Sequence, residues 1–170
     1  KDHQCGSDRI AEAVFDLDVD IVINVQGDEP FIPSEGLASL IEVFKSDTKK
    51  GIDLTSLMIP ISDDLNNPNI VKVITDLSNR ALYFSRSAIP HQRSKETHVS
   101  VYKHVGVYAF RKSALIDFYE HAATPLELAE QIEAIRYLEM GKTIQMIETQ
   151  FESVGIDVLE DLERAKKLML

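Results

Sequence analysis

Ile21-Val22-Ile23-Asn24-Val25-Gln26-Gly27-Asp28-Glu29-Pro30 joins a strand-length apolar run to an acidic loop punctuated by glycine and proline. The nearly unbroken apolar character of residues 21–25 is that of a strand buried on both faces. Its continuation through Gln26 to Pro30 reads as a loop at the C-terminal end of that strand, where α/β sheets place their ligands. The adjacent carboxylates of Asp28 and Glu29 have two readings. One is a solvated acidic turn. The other is a Mg²⁺ site, since a hard cation takes oxygen ligands and phosphate chemistry combines one or two carboxylates with substrate oxygens. Spacing alone does not separate the two.

Working outward, the elements alternate. Before the strand, Ser7 is placed to cap a short helix in which Ile10, Ala11, Val14 and Phe15 share a face. After it, Leu37, Leu40, Ile41 and Phe44 form the apolar stripe of a helix over 34–45. Alternation at Thr55, Leu57, Ile59 and Ile61 predicts a strand, closed by the Asn/Asp/Pro cluster at 63–69. Residues 70–75 and 81–85 predict a hairpin turning through Asp76, Ser78 and Asn79. The polar stretch 87–103, with Pro90, predicts a mobile or partner-ordered excursion, and 104–110 a return to strand. Thr124, Pro125 and Glu127 are a helix start of capping-box type, and that helix should run to Gly141. A strand over 143–149 then precedes a last helix begun by Asp157 and Glu160, with Leu162, Ala165 and Met169 as its buried stripe. The sum is one α/β domain of three layers, with a mostly parallel sheet and a hairpin insertion.

Composition bounds the function. The 170 residues are 44% hydrophobic, and 18 Lys and Arg stand against 28 Asp and Glu, a net charge of -10 that is the reverse of a duplex-binding surface. Nucleic acid is therefore not an expected partner. The single cysteine, Cys5, excludes an internal disulfide. No apolar run reaches membrane-spanning length and no signal peptide is present, so a reducing, cytoplasmic setting is expected.

Five blocks resemble those of the CMP-Kdo synthetases, which join CMP to the acidic eight-carbon sugar 3-deoxy-manno-octulosonate (Kdo). They are His3-Gln4-Cys5-Gly6-Ser7-Asp8-Arg9, Asn24-Val25-Gln26-Gly27-Asp28-Glu29-Pro30-Phe31, Ala81-Leu82-Tyr83-Phe84-Ser85-Arg86, Lys103-His104-Val105-Gly106-Val107-Tyr108, and Gly155-Ile156-Asp157 followed by Glu160-Asp161-Leu162-Glu163-Arg164. They occur in family order across nearly the whole chain. The resemblance implies a Rossmann-like nucleotidyltransferase fold and transfer of CMP from CTP to Kdo for lipopolysaccharide synthesis, in a homodimer. It implies that Asp28 and Asp157 bind a catalytic Mg²⁺ and that Gln26, Arg86, His104, Tyr108 and Glu133 hold the sugar acid. Gly6, Ser7 and Asp28 would meet the nucleotide.

Each residue also has a plainer reading. Asp157 suits a helix N-cap, Arg86 a surface ion pair, His104 a core histidine, and Glu133 a solvated position in the middle of a helix. His104 and Tyr108 share strand parity, so both can point to one face. As a site residue Arg86 matches a sugar carboxylate with its planar fork.

The chain departs from the family pattern at Cys5, where serine is expected, at Ser7 for threonine, at Ala134 for glutamine, and at Val158-Leu159 for Thr-Pro. Nothing matches the family's opening strand and phosphate-cradling loop. The resemblance therefore implies a longer enzyme, with roughly 60 to 80 further residues, about two βαβ units, upstream, and no turnover by these residues alone. Two other functions remain open: a CMP-sialate or other sugar-acid cytidylyltransferase, and a catalytically silent nucleotide- or sugar-binding module.

Overall fold

The computed structural model describes residues 3, 5–27, 32–94, 96–150 and 163. In chain order the elements are α1 (Gly6–Val14), β1 (Ile21–Asn24), α2 (Ser34–Ser46), β2 (Leu54–Ile61), β3 (Lys72–Thr75), β4 (Ala81–Ser85), β5 (Val101–Arg111), α3 (Lys112–Glu120), α4 (Pro125–Glu130), α5 (Ala134–Glu139) and β6 (Ile144–Glu148). Glu163 is helical, and the rest of the expected last helix, with Asp157, lies outside the described residues.

The alternation of apolar side chains along the strands builds two cores. On one face Val22, Leu54, Met58, Tyr108, Phe110, Ile144 and Met146 pack with Ala11 of α1, Leu115 and Phe118 of α3, and Ile135 and Tyr137 of α5. On the other, Leu57, Ile59, Val105, Val107 and Ala109 pack under Leu40 and Phe44 of α2. Helices cover both faces, so the three-layer α/β expectation holds.

The mostly parallel sheet does not hold among the described strands. Neighbours run β4-β3-β5-β2-β6, with β1 also on β5, and only β2 with β6 is a parallel pair. The cause is β5. It returns from the hairpin against the common direction of β1, β2, β3 and β6 and takes the centre of the sheet, so its three neighbours all meet it antiparallel.

Several local expectations need correction. Cys5, in extended conformation, is the N-cap of α1, and Ser7 lies buried inside the first turn. The helix expected to run from Thr124 to Gly141 is two helices, broken where Gln131 adopts φ 54°. Only its ends match: the Thr124 N–H donates to Glu127 at 3.0 Å, and Gly141 with φ 73° follows the last turn. Helix α3 was not anticipated, although Ala114, Leu115 and Phe118 mark its buried face. Strand β5 begins at Val101, inside the expected excursion. The hairpin turn is as read, with Asp76 Oδ1 accepting from the N–H groups of Ser78 and Arg80, both at 2.8 Å, and Asn79 at φ 59°.

Candidate active site

Strand β5 carries the floor of the site. Its register against β2 passes from Ser56 opposite Tyr108 to Leu57 opposite Val105, so β5 holds two extra residues, Gly106 and Val107. The bulge shortens the strand. Residues four apart on a regular strand are about 13 Å apart, whereas the rings of His104 and Tyr108 stand 5.4 Å apart. Both rings are buried on the α1/α3/α5 side, as shared parity predicts.

Ser56 fills the bulge. Its Oγ lies 3.1 Å from the Val105 carbonyl, 2.9 Å from that of Val107 and 2.9 Å from His104 Nε2. Carbonyls only accept, so the single hydroxyl proton goes to them and Nε2–H must donate to Oγ. Burial drives the His104 pKa down to about 3. The ring is therefore neutral, and Nδ1 is its remaining acceptor. It can receive a hydroxyl proton but is no cation for a carboxylate.

The first turn of α1 closes one side of the site. Glu133 is the N-cap of α5, not a mid-helix residue, and its Oε2 accepts from the Ser7 N–H at 3.4 Å. The helix α1 N-terminus thus already faces a carboxylate of the chain itself. Burial nevertheless raises the Glu133 pKa, against the lowering effect of contacts from Cys5 and Ser7. The Cys5 thiol is pushed up to about 12 by burial, with the Asp8 N–H opposing and the charges of Glu133 and Asp8 adding. It is not a thiolate nucleophile at neutral pH.

Around this turn three buried polar atoms have no hydrogen-bond partner: Ser7 Oγ, Asn24 Nδ2 and Tyr137 Oη. Asn24 Nδ2 lies 4.0 Å from where a Cβ on Gly6 would stand. The Tyr137 pKa is raised mainly by burial, with the Glu133 charge adding and a contact from the Ser7 side chain opposing, although neither hydroxyl makes a hydrogen bond of good geometry. Burial likewise raises that of Tyr108, with Glu133 and Tyr137 adding to it. Unpaired buried polar groups are rare because each forfeits its hydration. Three of them around the first turn of α1 are groups that a polar ligand or water can satisfy. Asn24 and Tyr137 carried no expected role. Tyr137 follows Glu133 by four positions, one helical turn, and that spacing was the available signal.

Arg86 sits across the α4–α5 break. Its Nε donates to the Glu130 carbonyl at 2.7 Å, Nη1 to Pro68 at 2.9 Å and Nη2 to Gln131 at 3.3 Å. Three of five donors hold backbone, leaving one on each Nη for a ligand. Lys72 ties the same region, donating to the Asn67 and Ile70 carbonyls at 3.0 and 2.6 Å and to the Arg86 carbonyl at 2.5 Å. Behind the site, buried Arg136 forks onto Glu127 with two bonds of 2.7 Å, lies 4.0 Å from Asp8, and stacks 3.8 Å from the Phe118 ring centroid.

The structure thus gathers Gly6, Ser7, His104, Tyr108 and Glu133, with Arg86 at the border. Gln26 is exposed beyond the end of β1. Asp28 and Asp157 lie outside the described residues, and among those described no group of His, Cys, Asp and Glu is arranged to hold a metal ion.

This arrangement has relatives. A family model for cytidylyltransferases matches residues 1–144. The 3-deoxy-manno-octulosonate cytidylyltransferase of Christiangramia forsetii is 60% identical over 99% of this chain and 69% of its own length. That of Flavobacterium johnsoniae is 56% identical over 99% of this chain and 70% of its own. Among solved structures, a CMP:2-keto-3-deoxy-manno-octonic acid synthetase complexed with CTP superposes with a TM-score of 0.92 at 34% identity, over 99% of this chain and 69% of that one. A 4-diphosphocytidyl-2C-methyl-D-erythritol synthase from Anaerococcus prevotii, at a TM-score of 0.61 and 15% identity, shares the fold alone. With sequence and structure agreeing over 99% of its residues, the chain belongs to the 3-deoxy-manno-octulosonate cytidylyltransferase family.

Proposed function

We propose that the protein transfers the cytidylyl group of CTP to Kdo. A sugar hydroxyl oxygen bonds to the α-phosphorus, the bond from that phosphorus to the β-phosphate oxygen breaks, the hydroxyl proton is lost, and pyrophosphate leaves. The observation that carries this reading is the set of buried polar atoms around the first turn of α1, Ser7 Oγ, Asn24 Nδ2 and Tyr137 Oη, none of which makes a hydrogen bond of good geometry. A polyhydroxylated ligand supplies the missing partners, and the relatives are named for this chemistry.

The chain's own residues bind and orient. His104 accepts a hydroxyl proton at Nδ1, Arg86 offers its two remaining N–H groups to the sugar carboxylate, and Tyr108 and Glu133 border the same space. Gly6 and Ser7, at the first turn of α1, border the nucleotide side, with the Ser7 N–H turned to Glu133. Holding two reactants in line supplies much of the acceleration in such transfers. Mg²⁺ on Asp28 and Asp157 would neutralise phosphate charge. In support, Gly27, immediately before Asp28, follows the end of β1, which stops opposite Tyr108.

The reading extends to a cytoplasmic homodimer. No described helix is long and apolar enough to cross a membrane. Exposed Leu77, Leu82 and Val99 line a groove of about 540 Å³ along the hairpin with Pro90 and Tyr102, the kind of apolar surface that a second copy covers. Ligand-induced stabilisation of the full-length protein tests the functional reading. CTP and Kdo together should raise Tm beyond CTP alone, and no added effect of Kdo would refute it.

A further inference from the structure

We propose that Gly106 is a specificity-determining position, a glycine that leaves room for the sugar acid against the β5 backbone next to His104 and Tyr108. This rests on the function proposed above. Glycine in the middle of a strand is destabilising relative to alanine, because it loses more chain freedom on folding and packs nothing. Gly106 lies in the bulge, a common place for a strand glycine, but only a bulge residue with positive φ requires glycine, and three reasons that would offset the loss do not operate here. The backbone does not demand it, since Gly106 is outside the positive-φ region. No neighbour crowds it, since a Cβ there would meet nothing within 4 Å. No sheet partner presses on it: β2 skips Gly106 in its register, β1 covers only 108–111, and β3 covers only 102–103.

What remains is space. From His104 to Phe110 every residue is buried except Gly106. The single opening in this run therefore falls at the bulge, between His104 and Tyr108 along the chain. It also falls on the flank of β5 left uncovered between the end of β1 and the start of β3, the flank toward which Val25, Gln26 and Gly27 leave β1 opposite Tyr108. A glycine with no conformational or packing cause, at the one accessible point among buried ligand-type side chains, is explained by a ligand whose atoms lie against its Cα.

The test is Gly106→Ala in the full-length enzyme, with Tm and the KM values for Kdo and CTP measured separately. An added methyl in a fitted pocket changes discrimination by about tenfold or more. The expected result is a Kdo KM raised by that factor, a CTP KM changed by less than about threefold, and a Tm equal to or above that of the parent. Gly106→Ser, of similar size, should behave alike. Unchanged Kdo kinetics, or an increase confined to CTP, would overturn the proposal. A lowered Tm would overturn it too, by showing that the space belongs to the fold. If the parent enzyme itself forms no CMP-sugar from CTP and Kdo, the functional reading fails, which is distinct from failure of the Gly106 assignment.

Discussion

Removing the Tyr137 hydroxyl separates binding from folding. Because Oη is buried without a partner, Tyr137→Phe takes away an unsatisfied group, and stability should be unchanged or rise by up to about 1 kcal/mol. Activity should fall, with the Kdo KM raised roughly two- to twelvefold for one lost neutral hydrogen bond. Denaturation midpoints and steady-state kinetics on the same preparation check both halves. His104 gives a pH signature. Its folded pKa of about 3 lies below the ordinary 6.5, so the unfolded chain takes up the proton first as the solution is acidified. The stability from the neutral ring is full above about pH 6.5 and is lost progressively toward pH 3, by at most about 1.4 kcal/mol per pH unit. His104→Asn should flatten that part of the Tm-against-pH curve. An identical slope in parent and variant would contradict a buried neutral histidine. Arg86→Lys keeps the charge but not the fork that spans three carbonyls, so it should lower both Kdo affinity and thermal stability.

At the scale of elements, the two features that form the site are interruptions. The bulge in β5 draws His104 to Tyr108, and Ser56 is its clasp, with one hydroxyl serving two carbonyls and a ring nitrogen. Ser56→Ala leaves these buried partners unanswered and should cost about 1 to 3 kcal/mol, together with a raised Kdo KM as the two rings move apart. Parity along the strand was legible in the sequence, whereas the bulge was not. It depends on the register of β2 against β5, which is set across 48 positions of chain between Ser56 and His104. The α4–α5 break was likewise hidden. Glu133 looked like a solvated helical residue because periodicity carries no sign of the left-handed Gln131, the turn that aims Glu133 at Ser7. Capping chemistry, by contrast, is local, and Thr124 with Glu127 was readable directly. The same Glu127 also holds buried Arg136. Glu127→Ala should destabilise by about 3 to 5 kcal/mol, since it strands a buried charge, and chemical denaturation measures that directly.

Over the whole molecule, the layers, the hairpin and the family were legible because each rests on local composition or on contiguous blocks of residues. Pairing directions were not. The alternation of helix and strand from α1 to β2 is that of a parallel sheet, and only the three-dimensional return of β5 through its centre shows otherwise. That central strand brings together residues distant in sequence, with the α1 N-terminus, the end of β1 and the start of α5 meeting around His104 and Tyr108. An arrangement with neutral acceptors, unpaired hydroxyls and one bordering guanidinium suits a polyhydroxylated acid more than a second anion-rich nucleotide. The most direct measurement is pyrophosphate release from CTP by the full-length protein with Kdo, with N-acetylneuraminate, or with no acceptor. Rapid release is expected with Kdo, and background rates in the other two reactions. Equal release with N-acetylneuraminate, or none stimulated by Kdo, would contradict it.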